Sequence, residues 1–402
     1  MSALTRVLHH DEPSPPARAV PPEPAAELPD APEAEALDAF HADVAARPAS
    51  TFAMLTVGRS GPDQITITGK HGDDALGMPT RTVGRPRLAL GDLVGGNDSK
   101  PPDVVRLYLS EWSRTASEIR EWVEQLRTAV GDAELRLVVW DDSGYEVPWE
   151  VLYLWGDRAA NRRPGWLGEL VTVTRMLTTH PGDPSEQWSP LDLGEHRCQG
   201  DALAYVHRDM TDDLVSLRPF EPDEVTAEGL LDRLADADQP VAMVYLAQHG
   251  EFAEHLTGLS LGELRWSHFA YTGLPALMRS HGLVFLNACH SGRMTNDPQI
   301  NTALFGFAEM FLRKGAASVV GTLGKVETTL ARRVAAELLA EISGESTIPL
   351  AEALRRVRAA AAAGVAGFTP TEADVKRFVY TFMYVCYGNP YTTLRLPGGG
   401  HG

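Results

Sequence analysis

"LVFLNACHSG", residues 283–292, is an apolar run that ends at a cysteine and continues into a short polar turn containing glycine. Continuous apolar runs of four to eight residues are typical of strands that are buried on both faces of a sheet. A second run of this kind, "VAMVYLAQHG" at 241–250, ends at His249 and Gly250. Since functional groups collect at the carboxyl ends of parallel strands, we expect His249 and Cys289 to share one edge of a sheet.

Strand-like and helix-like segments alternate along the chain around these two runs. Predicted strands are "TFAMLTV", "QITITG", "VVRLYL", "AELRLVVW", "ELVTVTRML", "DALAYVH", "VAMVYLA" and residues 283–288 and 316–323. Predicted helices are "SEIREWVEQLRTAV", "VTAEGLLDRLAD" and residues 270–280, 302–313 and 328–343. This alternation predicts an α/β fold with a mostly parallel central sheet that is flanked by helices.

Composition indicates where the folded part begins and in which compartment the chain works. Residues 11–32 contain eight prolines among Ala, Glu and Asp, so we expect residues 1–50 to form a disordered tail rich in Pro, Ala and Glu. The formal net charge of −18 disfavours binding to nucleic acid and to anionic membranes, because both would be repelled. The N-terminus lacks a signal-peptide pattern, and no apolar stretch is long enough to cross a bilayer, which favours a cytoplasmic location.

Three cysteines are too few and too widely spaced for a disulfide framework or a zinc site, so we expect free thiols. We expect no metal or organic cofactor, because a cysteine–histidine mechanism requires none. A cysteine acts as a nucleophile when a histidine lies within hydrogen-bond reach of its thiol. His249 precedes Cys289 by 40 residues, which leaves room for one helical crossover between neighbouring strands. We therefore predict a Cys289–His249 dyad, with an oxyanion hole formed by the backbone N–H groups of Gly250 and Cys289.

Each of these residue types also occurs without a catalytic role. A lone strand-end cysteine or histidine is usually a packing residue, and it is the combination of the two that favours catalysis. Ser291 is not in a G-x-S-x-G elbow, and "GTLGKV" lacks the glycine spacing of a phosphate loop. Cys198 and Cys386 have no neighbouring His-Gly pair, so we interpret them as structural.

Five ordered segments resemble the CHAT-domain proteins, relatives of caspases, metacaspases and separase in the caspase-like cysteine protease clan. The segments are "SGYEVPWEVLYL", "VYLAQHGEF", "LVFLNACHSG", "RKGAASVVGTLGKVETTLARRVAAEL" and "FMYVCYGNPYTTL". The resemblance as a whole runs from about residue 104 to 395. The resemblance implies a caspase-like sandwich with a catalytic part at residues 201–397. Residues 51–200 would form a β-rich and α/β N-terminal part, either a degenerate caspase-like half or the first strands of one large sheet.

The resemblance also points to candidate substrate-binding residues. Metacaspases carry an Asp two residues before the nucleophile that helps bind a basic P1 side chain, and Asn287 occupies that position here. The loop from Gly324 to Thr329 corresponds to a segment that contributes to the S1 pocket in caspase-like folds. Glu327 in the pocket would favour a basic P1 residue and Lys325 an acidic one, although a Glu at a helix N-terminus is commonly a dipole-satisfying residue.

Together these features predict an intracellular cysteine endopeptidase that cleaves a specific protein substrate. With no sensing repeat visible in the sequence, activation would come from a separate activating or sensor protein, as in a bacterial antiviral defence or cell-death-like pathway. The alternative is a catalytically silent caspase-like interaction module.

Overall fold

The structure is a computed structural model that describes residues 51–394, apart from 73, 95–99, 158, 160–161, 179–194, 254, 297–303, 344–347 and 368. The predicted disordered tail, residues 1–50, lies outside the described residues.

The described strands group into one large sheet and three small ones. The large sheet contains β1 (Phe52–Gly61), β2 (Gln64–His71), β3 (Met78–Gly84), β4 (Arg136–Asp141), β7 (Thr172–Met176), β9 (Asp201–Val206), β10 (Asp223–Glu224), β11 (Val241–Ala247), β15 (Leu283–Asn287), β16 (Ser318–Thr322) and β17 (Tyr384–Gly388). The small sheets contain β5 (Tyr153–Leu154), β6 (Gly165–Trp166), β8 (His196–Cys198), β12 (Gly250–Glu251), β13 (Ser260–Leu261), β14 (Leu264–Arg265) and β18 (Thr392–Leu394).

The large sheet is mostly parallel, as predicted. Its strand order is β10-β9-β11-β15-β16-β17-β7-β4-β1-β2-β3. Neighbouring strands are parallel except at β16–β17, β1–β2 and β2–β3. Every residue of β11 and β15 is buried, which explains their continuous apolar sequences.

Helices cover both faces of the sheet. They are α1 (Gly91–Val94), α2 (Pro102–Thr115), α3 (Ser117–Val130), α4 (Leu167–Leu170), α5 (Asp213–Leu217), α6 (Ala227–Ala235), α7 (Trp266–Ala270), α8 (Pro275–Ser280), α9 (Phe307–Arg313), α10 (Thr328–Ile342), α11 (Leu350–Val365) and α12 (Glu372–Met383). Short 3-10 turns occupy Asp74–Leu76, Trp149–Val151, Arg208–Met210, Arg218–Phe220 and Leu256–Gly258.

Alternate residues of β11 show why two layers of helices are needed. Val244 packs in an apolar cluster with Phe311 of α9, whereas Tyr245 packs in another with Leu338 of α10 and Leu354 of α11. Successive side chains of a strand point to opposite faces, so a strand without polar positions has to be covered on both sides. This arrangement confirms the predicted α/β class.

One predicted strand is wrong. The stretch "VVRLYL" lies inside helix α2, because its apolar residues follow the helical period rather than a period of two. Val105, Leu109 and Trp112 are buried, while Leu107 and Tyr108 are 57% and 50% exposed. The predicted helix at 270–280 also differs, since α7 ends at Ala270 and α8 starts at Pro275.

The large sheet takes strands from both sides of residue 200. Strand β7 pairs with β4 on one side and with β17 on the other. Residues 51–200 thus supply strands to the same sheet that carries β11 and β15. The division of the chain at residue 200 stays a prediction. Within the described residues, no helix has both the length and the apolar character required to cross a membrane.

Candidate active site

The register of β11 and β15 places the histidine and the cysteine at the same edge of the sheet. Ala247 is paired with Asn287, and His249 and Cys289 each follow their strand's paired residue by two positions. Both residues line one pocket. The residues around it are Met210, Asp213, Gln248, His249, Asn287, Ala288, Cys289, Val326, Thr328 and Ala331. We call it the Cys289 pocket. The structure therefore brings the two predicted catalytic residues together.

Gly250 packs directly against the backbone of Cys289. A Cβ atom at Gly250 would lie 1.9 Å from the carbonyl oxygen and 3.1 Å from the nitrogen of Cys289. The N–H of Gly262 donates a hydrogen bond of 2.8 Å to the carbonyl of His249, so Gly250 and Leu261 form a non-hydrogen-bonded pair between β12 and β13. In such a pair the N–H groups point away from the partner strand, and the N–H of Gly250 therefore points away from β13. The backbone of Gly250 thus lies against the backbone of Cys289, and the oxyanion hole formed by their two N–H groups stays a prediction.

The three cysteines lie in different surroundings. Cys198 and Cys386 are buried, and burial raises the pKa of each thiol to about 12. Cys289 is only partly buried, and its sulfur accepts a hydrogen bond of 3.5 Å from the N–H of Val326. The thiol can in turn donate to the carbonyl oxygen of Val326 at 3.7 Å, so both backbone polar groups of Val326 face the sulfur. Of these three thiols, Cys289 is the one placed to react.

His249 is exposed at the mouth of the pocket and has a second histidine beside it. Its ring meets the ring of His207 edge-to-face, with 4.7 Å between the centroids. His207 directly follows β9, the strand on the other side of β11. The order of strands in the sheet therefore places His207, His249 and Cys289 along one edge.

Asn287 forms part of a buried polar network beneath the pocket. Its side-chain N–H groups donate to Asp213 Oδ2 at 2.8 Å and to the Tyr245 hydroxyl at 3.0 Å. Its Oδ1 accepts a hydrogen bond of 2.6 Å from the Tyr384 hydroxyl. The Tyr245 hydroxyl also donates to Asp213 Oδ2 at 2.6 Å. Asn287 thus lines the pocket while holding Asp213 in place.

Asp213 is a pocket residue that the sequence did not reveal. It is the first residue of helix α5 and lies 76 positions before Cys289. The sequence alone does not distinguish it from its neighbour Asp212 as a pocket residue. The structure separates the two, since Asp212 is exposed and pairs with Arg332 whereas Asp213 is buried at the pocket. Burial raises the pKa of Asp213, and the hydrogen bonds from Tyr245 and Asn287 lower it in part.

Lys325 and Glu327 are not among the residues that line the Cys289 pocket. Both are exposed, and the residues that line the Cys289 pocket from this loop are Val326 and Thr328. Glu327 precedes helix α10 as its N-cap residue, where a negative charge is favourable. The part of Lys325 and Glu327 in substrate binding stays a prediction.

Arg293 connects the loops that carry the histidine and the cysteine, and sequence reasoning missed it. Its guanidinium lies 3.8 Å from the centre of the Phe252 ring, three residues after His249. Its Nε donates to Glu146, which belongs to the N-terminal part of the chain. Its backbone N–H donates to the carbonyl of His290 at 3.1 Å. A single side chain therefore joins both loops to the "YEVPWE" segment.

His290 follows the cysteine in an unusual backbone conformation. Its φ of 58° lies in the left-handed region, which few residues other than glycine adopt. Burial, followed by the positive charges of Arg293 and Lys325, lowers the pKa of His290 to about 4. His290 is therefore neutral near pH 7, and it does not line the Cys289 pocket.

The "PWE" segment supplies a buried ion pair at the centre of the large sheet. Glu150 accepts hydrogen bonds from Arg175 at 2.9 Å and 2.6 Å, and both side chains are almost fully buried. Arg358 lies 3.9 Å from the same carboxylate and donates to the carbonyl of Tyr384 at 2.6 Å. The single negative charge of Glu150 is thus shared by two buried arginines from β7 and α11, which joins the N-terminal part to the C-terminal helices.

A comparison with curated proteins gives no match. One crystal structure of the Saccharomyces cerevisiae separase–securin complex aligns with a TM-score of 0.51 and 11% identity, covering 89% of this chain and 31% of that chain. A second structure of that complex gives a TM-score of 0.49 and 10% identity, covering 90% of this chain and 31% of that chain. The Arg-specific cysteine proteinase gingipain R gives a TM-score of 0.46 and 14% identity, covering 70% of this chain and 68% of that chain.

The likeness to separase shows a shared caspase-like fold. The present chain spans 31% of the length of the separase chain. The description "CHAT domain" belongs to the family model that matches residues 114–367, which is more than half of the chain. This match includes the "PWE" segment, the histidine and the cysteine, so the protein belongs to the CHAT domain family.

Proposed function

We propose that this protein is a cysteine endopeptidase of the caspase-like type, with Cys289 as nucleophile and His249 as general base. The observation that carries the proposal is the position of both residues at one pocket, at the ends of adjacent parallel strands. The other two thiols are buried, and the pKa of each is raised to about 12.

The geometry supports a two-step acyl transfer. His249 takes the thiol proton, and the sulfur of Cys289 attacks the carbonyl carbon of the scissile peptide bond. The N–H groups of Gly250 and Cys289 donate to the oxyanion, and His249 returns the proton to the leaving amine. Water then attacks the thioester, with His249 as base, and releases the acyl product.

We further propose that the Cys289 pocket accepts a basic P1 side chain. Asp213 lines the pocket, and its described lining contains no lysine or arginine. The nearby Arg332 forms its direct ion pair with Asp212, while its positive charge also lowers the pKa of Asp213. A carboxylate in a partly enclosed pocket favours a guanidinium or ammonium group of the substrate.

The cytoplasmic location, the activating sensor protein and a role in bacterial defence or a cell-death-like pathway are proposals supported by the family resemblance. An activator would have to act through the loops of His249 and Cys289. Arg293 offers a route, because it connects both loops to Glu146.

The proposal is tested by mapping new protein N-termini in lysate of the source organism and in proteins encoded beside this chain. Wild type is compared with Cys289→Ala and His249→Ala. New termini in the wild-type sample alone, preceded by Arg or Lys, are the expected result. Identical maps for all three proteins, with and without the neighbouring proteins, would instead support a silent interaction module.

A further inference from the structure

We propose that His207, Asp209 and His249 form a binding site for a transition-metal dication such as Zn²⁺, and that an ion bound there switches the enzyme off. The inhibitory half of this inference rests on the proposed function, because it requires His249 to be the general base. The binding half is independent of any peptidase activity.

The fold brings the three side chains together. One ligand atom from each residue can be chosen so that all lie within 4.8 Å of one another. The two imidazole rings are 4.7 Å apart, and a carboxylate oxygen of Asp209 lies 3.6 Å from Nδ1 of His207. Val206 and Ala247 are register partners in adjacent strands, and the N–H of His207 donates to the carbonyl of Ala247 at 2.8 Å. The position of His207 beside the His249 loop is therefore fixed by the sheet.

The ligand set favours a particular class of ion. Two imidazoles with one carboxylate are typical ligands of Zn²⁺ and related first-row metals, whereas Ca²⁺ and Mg²⁺ prefer oxygen ligands. Metal–ligand distances of about 2.0–2.2 Å place tetrahedral ligand atoms roughly 3.3–3.6 Å apart. His249 and Asp209 are exposed, so side-chain rotation can bring the three groups that close. A fourth position would remain for water.

Metal binding at this site would compete directly with the proposed chemistry. A neutral imidazole has one nitrogen with an available lone pair. When that nitrogen binds a metal ion, the other nitrogen carries the proton, so His249 can no longer accept the proton of Cys289. His207 and Asp209 do not line the Cys289 pocket, so the ion would bind next to the pocket and not among its lining residues.

Binding is tested on the full chain carrying Cys289→Ala, which removes the reactive thiol as a ligand. We expect one Zn²⁺ per chain by titration calorimetry and visible absorption from Co²⁺ bound in the same place. His207→Gln and Asp209→Asn, each added to Cys289→Ala, should weaken binding at least about tenfold. His196→Gln is the matched control, because His196 also contacts a second histidine, with 5.4 Å between the rings, outside this group.

Equal metal affinity in Cys289→Ala and in its His207→Gln derivative would overturn the proposal, as would the absence of metal binding. The inhibitory half is tested in chains with Cys289 intact, each compared with its own rate in EDTA. Zn²⁺ should inhibit wild type far more than His207→Gln. Equal inhibition of the two would contradict inhibition by an ion bound to His207, Asp209 and His249. Specific metal binding in a chain that cleaves nothing would support the site and count against the proposed peptidase.

Discussion

Gly250 and Cys289 are in backbone contact, so close that a methyl group on Gly250 would lie 1.9 Å from the carbonyl oxygen of Cys289. The loops that carry His249 and Cys289 therefore touch within three residues of the ends of β11 and β15. Glycine is needed here because any side chain would push the two loops apart.

Gly250→Ala is expected to lower kcat about 100-fold or more, because it separates the proposed oxyanion donors and moves His249 relative to the thiol. The measurement is steady-state cleavage of a peptide substrate, with circular dichroism to show that the fold is retained. Gly84→Ala is the control, since a Cβ there meets nothing within 4 Å. Equal activity in Gly250→Ala and wild type would contradict this role.

Asp213→Asn is expected to lower kcat/KM for substrates with Arg at P1 by about 10- to 100-fold, because it removes the charge while preserving the shape of the pocket. The loss should be much smaller for substrates with an uncharged P1 residue. Asp212→Asn, one residue earlier and exposed, serves as the matched control. The same loss for both substrate classes would show a structural rather than a specificity role.

Glu150→Ala is expected to destabilise the protein by about 3–5 kcal/mol, because it leaves Arg175 and Arg358 buried without their shared counter-charge. The measurement is urea denaturation followed by fluorescence. Glu111→Ala removes an exposed partner of Arg114 and should change stability by less than about 1 kcal/mol. Similar midpoints for the two variants would show that the buried cluster adds little to stability.

The lowered pKa of His290, about 4 in the folded protein against an ordinary value of 6.5, makes stability depend on pH. Between these values the unfolded chain binds more protons than the folded one, so this contribution to stability is lost as pH falls from 6.5 towards 4. His290→Asn, which tolerates positive φ, should reduce that loss. The measurement is the difference in unfolding free energy between wild type and variant at pH 7 and at pH 4.5. A difference that is the same at both pH values would contradict the lowered pKa.

The sequence was sufficient to predict those features that depend on local pattern. Continuous apolar runs predicted β11 and β15, and the residues at their ends predicted that His249 and Cys289 would lie at one edge. The helix at 102–115 was missed because "VVRLYL" is short and rich in β-branched and aromatic residues, although its burial follows a helical period.

Long-range pairings could not be predicted in the same way. Asp213, Arg293 and His207 reach the site from other strands or through tertiary contacts, and no local motif marks them. The sequence of the loop from Gly324 to Thr329 did not show which of its side chains face the pocket. In the structure Val326 and Thr328 line it. Such choices depend on packing rather than on residue type.

The most direct test of the central claim is covalent capture of the nucleophile. A peptide with Arg at P1 and an acyloxymethyl ketone warhead is incubated with wild type and with His249→Ala, in the presence of the proteins encoded beside this chain, and adducts are located by mass spectrometry. The account predicts rapid modification of Cys289 in wild type, much slower modification in His249→Ala, and no comparable labelling of Cys198 or Cys386. Labelling of Cys289 at the same rate in both proteins, or no faster than Cys198, would contradict a Cys289–His249 dyad.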